Sequence, residues 1–232
     1  MSQNLSYSLE ADVAVLAMDD GKANALSHEM IDALGKGLDR AESEAGAMVL
    51  LGRPGRFSAG FDLGTMKAGP EAVRGLVTAG AELLLRIYEF PRPTVVGAGG
   101  HALAAGALLL CAADTRIVAQ GDFKIGLNEV TIGMTLPVFG VELARDRLSK
   151  RHFAAAAIQA HLYDGAGAVD AGFADRAVPA EEVNAESLRA AAELARLPRD
   201  AYAGTKHQAR AGVARHIRDT LAADMARITG GP

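Results

Sequence analysis

The stretch Thr94-Val95-Val96-Gly97-Ala98-Gly99-Gly100-His101-Ala102-Leu103-Ala104-Ala105-Gly106-Ala107-Leu108-Leu109-Leu110-Cys111-Ala112-Ala113-Asp114 decides the fold class. The β-branched residues Thr94, Val95 and Val96 mark the end of a buried strand, Gly97–Gly100 a turn, and the apolar small-residue run after it a helix. At the entry of such a helix backbone N–H groups lack intrahelical acceptors and the dipole favours negative charge, so Ala104, Ala105 and Gly106 can aim donors at an anion. Small side chains here admit a ligand to the backbone; equally, they permit close packing and nothing more. Gly97 to Ala102 also fits the G-x-G-x-x-G/A pattern of dinucleotide folds, with Asp122 about where a ribose-binding acid sits. That match is weak in glycine-rich sequence.

The same alternation extends on both sides. Leu5, Tyr7 and Leu9 alternate with polar residues and Val13–Met18 is nearly all apolar, which predicts a hairpin. Ser27 is placed to cap a helix with Met30, Ile31, Leu34 and Leu38 on one face, and Ala47–Leu51 is a buried strand. Gly52–Arg56 is a turn leading into Phe57-Ser58-Ala59-Gly60-Phe61-Asp62-Leu63, and Pro70 opens a helix that Pro91 and Pro93 stop. Thr115–Ala119 is a strand, Gly126–Pro137 mostly loop, Pro137 and Ser149 helix openers, Asp164–Gly172 turn and short helix, and Phe173–Val178 extended. Strands alternating with helices argue for an α/β core over residues 1–178. From Glu181 to Ile228 the pattern is of helices divided by Pro198 and Gly212, so residues 179–232 form a helical tail. Alone it buries too little to be stable and must dock on the core, a neighbouring subunit or both.

With 232 residues, 50% hydrophobic and 22% charged, the chain can bury a large core. A net charge of −4 with scattered basic residues gives no polycation for nucleic acid. A single cysteine, Cys111, excludes an intrachain disulfide and fits a reducing compartment. No apolar run reaches the roughly 18 residues of a membrane span, and the first residues lack a signal pattern, so a cytoplasmic protein is expected.

Serine-hydrolase elbows, H-E-x-x-H helices, C-x-x-C pairs and P-loops are missing from the sequence, and no metal site is expected. The six histidines are dispersed; His101 is best read as a partly buried turn residue bonded to backbone. What remains is a pair of backbone-rich turns, Ser58–Asp62 and Leu103–Gly106, and Glu129 in an otherwise uncharged loop. Apolar surroundings disfavour the ionised carboxylate and raise its pKa toward values useful for proton transfer. The residues alone leave Glu129 open between that role and a solvated loop acid.

Taken together, Lys22-Ala23-Asn24-Ala25-Leu26-Ser27, Arg53-Pro54-Gly55-Arg56-Phe57-Ser58-Ala59-Gly60-Phe61-Asp62-Leu63, the Gly100–Asp114 segment and Ile125-Gly126-Leu127-Asn128-Glu129 resemble the crotonase superfamily of enoyl-CoA hydratases and isomerases. The resemblance implies an α/β spiral of ββα units with a helical C-terminal region that builds homotrimers, often paired into hexamers. It implies an acyl-CoA substrate of fatty acid metabolism, with coenzyme A part of the substrate and no separate cofactor. It assigns the oxyanion hole to the Ala59 and Ala105 N–H groups, and CoA binding to Lys22 and to Ser58, Ala59, Gly60, Phe61, Asp62 and Leu63. Lys22 reads equally as an exposed turn lysine, and Lys206 is a weaker phosphate contact. Hydratases of the family use two glutamates; here the first position is Leu108 and the second Glu129. One catalytic acid suits a Δ3,Δ2-enoyl-CoA isomerase, to which these segments are most similar, while a second acid from Asp62 or Glu142 would restore hydration.

Overall fold

The computed structural model describes residues 4–228 and residue 230. The chain opens with strands β1 (Leu5–Glu10) and β2 (Val13–Met18), an antiparallel hairpin in register from Leu5↔Met18 to Glu10↔Val13. Helix α1 (His28–Glu44) starts where Ser27 Oγ accepts the Met30 N–H at 3.2 Å, and Met30, Leu34 and Leu38 are buried along it. A side-chain oxygen at this position satisfies one orphan donor of the first turn.

Three successive passes then follow one plan. The first is strand β3 (Ala47–Leu51), strand β4 (Gly55–Ser58), the short helix α2 (Leu63–Met66) and helix α3 (Pro70–Tyr88). The second is strand β5 (Thr94–Ala98), strand β6 (Gly100–Leu103) and helix α4 (Ala105–Ala112). The third is strand β7 (Thr115–Ala119), strand β8 (Ile125–Gly126) and helix α5 (Val138–Arg147). The first strand of each pass joins a six-stranded sheet ordered β1-β2-β3-β5-β7-β9, and the second joins a three-stranded parallel sheet ordered β4-β6-β8. Helix α6 (Gly165–Ala171) leads into the final strand β9 (Arg176–Val178), parallel to β7. The fold is therefore α/β, a spiral of ββα units.

The passage from Gly97 to Gly100 corrects the sequence expectation. It is not a turn into a helix: β5 and β6 are distinct strands parted only at Gly99, and α4 begins at Ala105. A Cβ on Gly100 would lie 1.9 Å from the Gly55 carbonyl carbon, so β6 can pair with β4 only because glycine stands there. The dinucleotide reading falls with the turn it needed.

After a three-residue 3₁₀ turn, helix α7 (Val183–Leu194) crosses the face of the large sheet, where Ala190 and Ala191 pack among Val13, Val49, Leu51, Val95 and Ile117. Helix α8 (Arg199–Ile228) packs against α3 and α5. Gly212 does not divide it: the residue faces open space, and the roughly 1 kcal/mol cost of glycine in a helix is outweighed by packing on both sides. Ser149 likewise opens no α-helix; a π-helical turn, Ala154–Ile158, follows it. Among the described residues no helix is long and apolar enough to cross a membrane.

One ionic cluster fastens α8 to the spiral. Asp114, just past α4, accepts the Thr94 N–H at 2.8 Å and Thr94 Oγ1 at 2.9 Å, and pairs with Lys206 at 2.8 Å and Arg210 at 2.9 Å. Burial alone would raise the Asp114 carboxyl; the two cations beside it hold it below the usual range. Arg210 also donates to the Tyr88 and Ala112 carbonyls, capping the C-termini of α3 and α4. Asp114→Ala leaves two buried cations without their carboxylate and is expected to cost about 3–5 kcal/mol in urea unfolding. A loss below about 1 kcal/mol would mean that apolar contacts alone hold α8.

Candidate active site

The turn after β4 is held by residues from far upstream. Asn24, buried with φ 49°, donates its side-chain amide to the Met18 and Phe57 carbonyls at 3.0 and 3.1 Å. Ser58 Oγ donates to the Asn24 carbonyl at 2.7 Å and accepts the Gly60 N–H at 3.2 Å. The Ser58 hydroxyl is thus consumed in shaping the turn, and its side chain is not a ligand contact. The Leu26 N–H donates to the Gly60 carbonyl at 2.8 Å, and the Asp62 N–H to the Leu26 carbonyl at 3.2 Å.

These bonds correct one assignment. The Ala59 N–H donates to the Ala23 carbonyl at 3.0 Å, so it has no capacity left for a thioester oxygen. From Ala59 to Asp62 the one amide with no acceptor among the described residues is that of Phe61. The Ala105 N–H is the first of α4 and has no acceptor among the described residues either. Its predecessor Ala104 sits at φ 51° and donates to the Gly126 carbonyl at 3.0 Å. The two open amides belong to touching turns: a Cβ on Gly60 would lie 2.8 Å from Ala104 Cβ and 3.2 Å from the Ala105 nitrogen. The Phe61 ring packs over Gly80 of α3, fixing the residue whose amide is open.

Beside this turn lies a cleft of about 480 Å³ lined by Lys22, Ala23, Ala59, Phe61, Asp62 and Leu63 among others. Lys22 is exposed at its rim, and Leu63 is 61% exposed. Gly60 is buried beneath. Asp62 caps α2, accepting the Thr65 N–H at 2.7 Å and the Thr65 hydroxyl at 2.9 Å; these bonds hold its carboxyl below the usual range, in the ionised form. Lys206 is corrected as well, since its ammonium is buried against Asp114 and is no phosphate contact. His101 accepts the Lys124 N–H on Nδ1 at 2.9 Å and packs on Phe123, as a structural turn residue.

Glu129 lies three residues past β8, whose pairing Leu103↔Gly126 ties its loop to the entry of α4. The residue is 8% exposed and Oε2 is buried without a hydrogen-bond partner. Burial pushes its carboxyl up to about 7. The solvated alternative is thereby excluded. Leu108 is fully enclosed and packs toward Leu136 and Gly140 at the start of α5. The two candidates for a second acid are both engaged: Asp62 as a helix cap, and Glu142 with Arg145 at 3.4 Å.

Residues 8–229 match the model of the enoyl-CoA hydratase/isomerase family. Human mitochondrial enoyl-CoA delta isomerase 1 is 31% identical over 220 residues, 93% of this chain and 73% of that protein. A probable enoyl-CoA hydratase of Bacillus subtilis is 36% identical over 134 residues, 56% of this chain and 52% of that protein. The crystal structure of human mitochondrial delta3-delta2-enoyl-CoA isomerase superposes with a TM-score of 0.94 at 29% identity, covering 98% of this chain and 91% of that one. The chain belongs to the enoyl-CoA hydratase/isomerase family and has the crotonase fold.

A buried carboxylate with a raised pKa destabilises the fold at high pH. Below the ordinary pKa of 4.5 Glu129 is protonated folded and unfolded; between there and about 7 only the unfolded chain ionises, so stability falls as pH rises. Glu129→Gln is expected to be more stable than the parent at pH 8 by up to about 3 kcal/mol, with the difference vanishing at pH 4. Thermal or urea unfolding at the two pH values checks this, and a difference independent of pH would contradict it.

Proposed function

We propose that the protein is an acyl-CoA enzyme that moves a 3-enoyl-CoA double bond to the 2-position. What supports this reading is Glu129, buried with Oε2 lacking a hydrogen-bond partner, together with Leu108 at the position where the family resemblance puts the first acid of a hydratase. In this reading CoA lies along the Lys22–Leu63 cleft and the thioester oxygen meets the Phe61 and Ala105 N–H groups. Glu129 takes a proton from C2. The electron pair moves through the thioester and the alkene to give a dienolate whose oxygen is stabilised by the two amides, and the same carboxyl returns the proton to C4. Fixed donors of this kind are worth about 2.7–4 kcal/mol each in the transition state. A carboxyl titrating near 7 both accepts and releases a proton at neutral pH, which a one-base shuttle requires.

The alternative, hydration of a 2-enoyl-CoA, needs a water positioned and polarised from two sides, and an apolar Leu108 supplies neither a charge nor an acceptor. Relatives that include a probable enoyl-CoA hydratase keep that alternative in the test. A homotrimer, paired or not into a hexamer, and a cytoplasmic location belong to the same proposal.

Purified protein given 3-enoyl-CoA is expected to form the conjugated 2-enoyl ester, followed by its ultraviolet absorbance, and to add no water to a 2-enoyl ester. Glu129→Gln is expected to lower kcat by at least about 10²-fold. Rapid hydration of the 2-enoyl ester, or unchanged turnover by Glu129→Gln, would reject the reading.

A further inference from the structure

The loop that carries Glu129 is short of anchors at its far end. At the near end, β8 pairing and the Ala104 N–H to Gly126 carbonyl bond hold it. Its middle is one tight turn, in which the Glu129 carbonyl accepts the Ile132 and Met134 N–H groups at 3.1 and 2.9 Å. The chain then runs through Leu136, buried against Gly140, to Pro137 and the first turn of α5. Pro137 occupies the cap position of α5 and supplies no side-chain acceptor, so the leading N–H groups of the helix need one from elsewhere.

It comes from 86 residues away. Asp224, in the last turns of α8 and 4% exposed, accepts the Val138 N–H on Oδ2 at 2.7 Å, and its Oδ1 pairs with Arg227 at 2.5 Å. A buried carboxylate is tolerated because both oxygens are occupied, and its charge complements the N-terminal dipole of α5. Around the same junction a cleft of about 360 Å³ is lined by Met66, Val73, Gly133, Met134, Arg227 and Ile228. Loosening the Val138 anchor therefore opens the loop onto existing space.

We propose that Asp224 is a positioning residue for Glu129: by pinning the first turn of α5 it holds the loop from Asn128 to Pro137 closed over the catalytic carboxyl and keeps water from it. The catalytic half of this statement rests on the proposed isomerase reading; the structural half does not. Burial is the cause of the raised pKa of Glu129, and its own backbone N–H opposes it; no charged side chain contributes. The Glu129 titration therefore reports how well the loop is closed. If Asp224 only added stability, its loss would lower the unfolding temperature and leave that titration where it was.

Two variants cut the same bond from opposite sides. Asp224→Ala removes the acceptor. Val138→Pro removes the donor at a first helical position that proline favours, after a residue already extended at ψ 157°, and its ring carbon displaces the Asp224 carboxylate from the helix start. Asp224→Asn keeps a neutral acceptor and is the rescue. The midpoint of Glu129 in the full-length protein is read by carbon-13 NMR of labelled glutamate carboxyls, assigned with Glu129→Gln. Asp224→Ala and Val138→Pro are each expected to lower it by about one unit or more, and Asp224→Asn to restore it to within about half a unit. In 3-enoyl-CoA turnover at pH 8 the first two should lose about tenfold or more in kcat with KM changed less than about twofold. A folded Asp224→Ala or Val138→Pro protein with the parental midpoint overturns the proposal, and if Asp224→Ala does not fold, Val138→Pro decides. The midpoint is measured without substrate, so an active Glu129→Gln enzyme would reject the isomerase reading and leave the Asp224 result to stand or fall by itself.

Discussion

The structure depends on one close approach between backbones. The end of β4 and the start of α4 come so near that a Cβ on Gly106 would lie 2.4 Å from the Ser58 carbonyl oxygen, and one on Gly60 would meet Ala104. Only glycine at 60 and 106, with a side chain as small as that of Ala104 opposite, permits this, and the contact is what places the Phe61 and Ala105 N–H groups on adjoining turns. Both are donors that regular structure cannot satisfy: one opens a helix, and the other is passed over by the bridge between Leu26 and Phe61. Main-chain amides held by a network through Asn24 and Ser58 need no reorganisation when charge develops on a bound oxygen.

The spiral brings the loop that carries Glu129 alongside the entry of α4. Each pass adds a strand to the small sheet, and the β4-β6-β8 order lays three consecutive connections side by side. The first carries the Phe61 turn, the second the start of α4, and the third Glu129. Burying the carboxyl opposes stability above pH 4.5, and the fold tolerates this because its core is large and α8 is locked to it through Asp114 and Asp224.

Much of this was legible in the sequence, and what was not has a common cause. Ser27, Pro70 and Pro137 announced helix starts through local chemistry, and the apolar runs of β2, β3, β5 and β7 announced a buried sheet. Local signals failed where distant residues decide. The Gly97–Gly100 stretch resembles a turn, yet Gly97 and Ala98 end β5 between β3 and β7, and Gly100 opens β6 beside β4. Ala59 and Phe61 are equivalent by composition, and only the Ala23 carbonyl, upstream in the chain, determines which amide stays open. Lys206 has the character of a surface phosphate ligand until Asp114 is seen beside it. Asp224 gave no signal, because a helix cap supplied from another helix leaves no mark on the sequence near either end.

The proposed polarisation of a bound thioester carbonyl by the Phe61 and Ala105 amides is open to direct measurement. Isotope-edited infrared spectroscopy of the protein with an acyl-CoA labelled with carbon-13 at the thioester carbonyl tests it directly. Binding is expected to shift the carbonyl stretch to lower frequency, and the shift is expected to be lost or reduced in Gly60→Ala, whose new Cβ would crowd the Ala105 nitrogen. A bound carbonyl with the frequency it has in water, or a shift unaffected by Gly60→Ala, would contradict it.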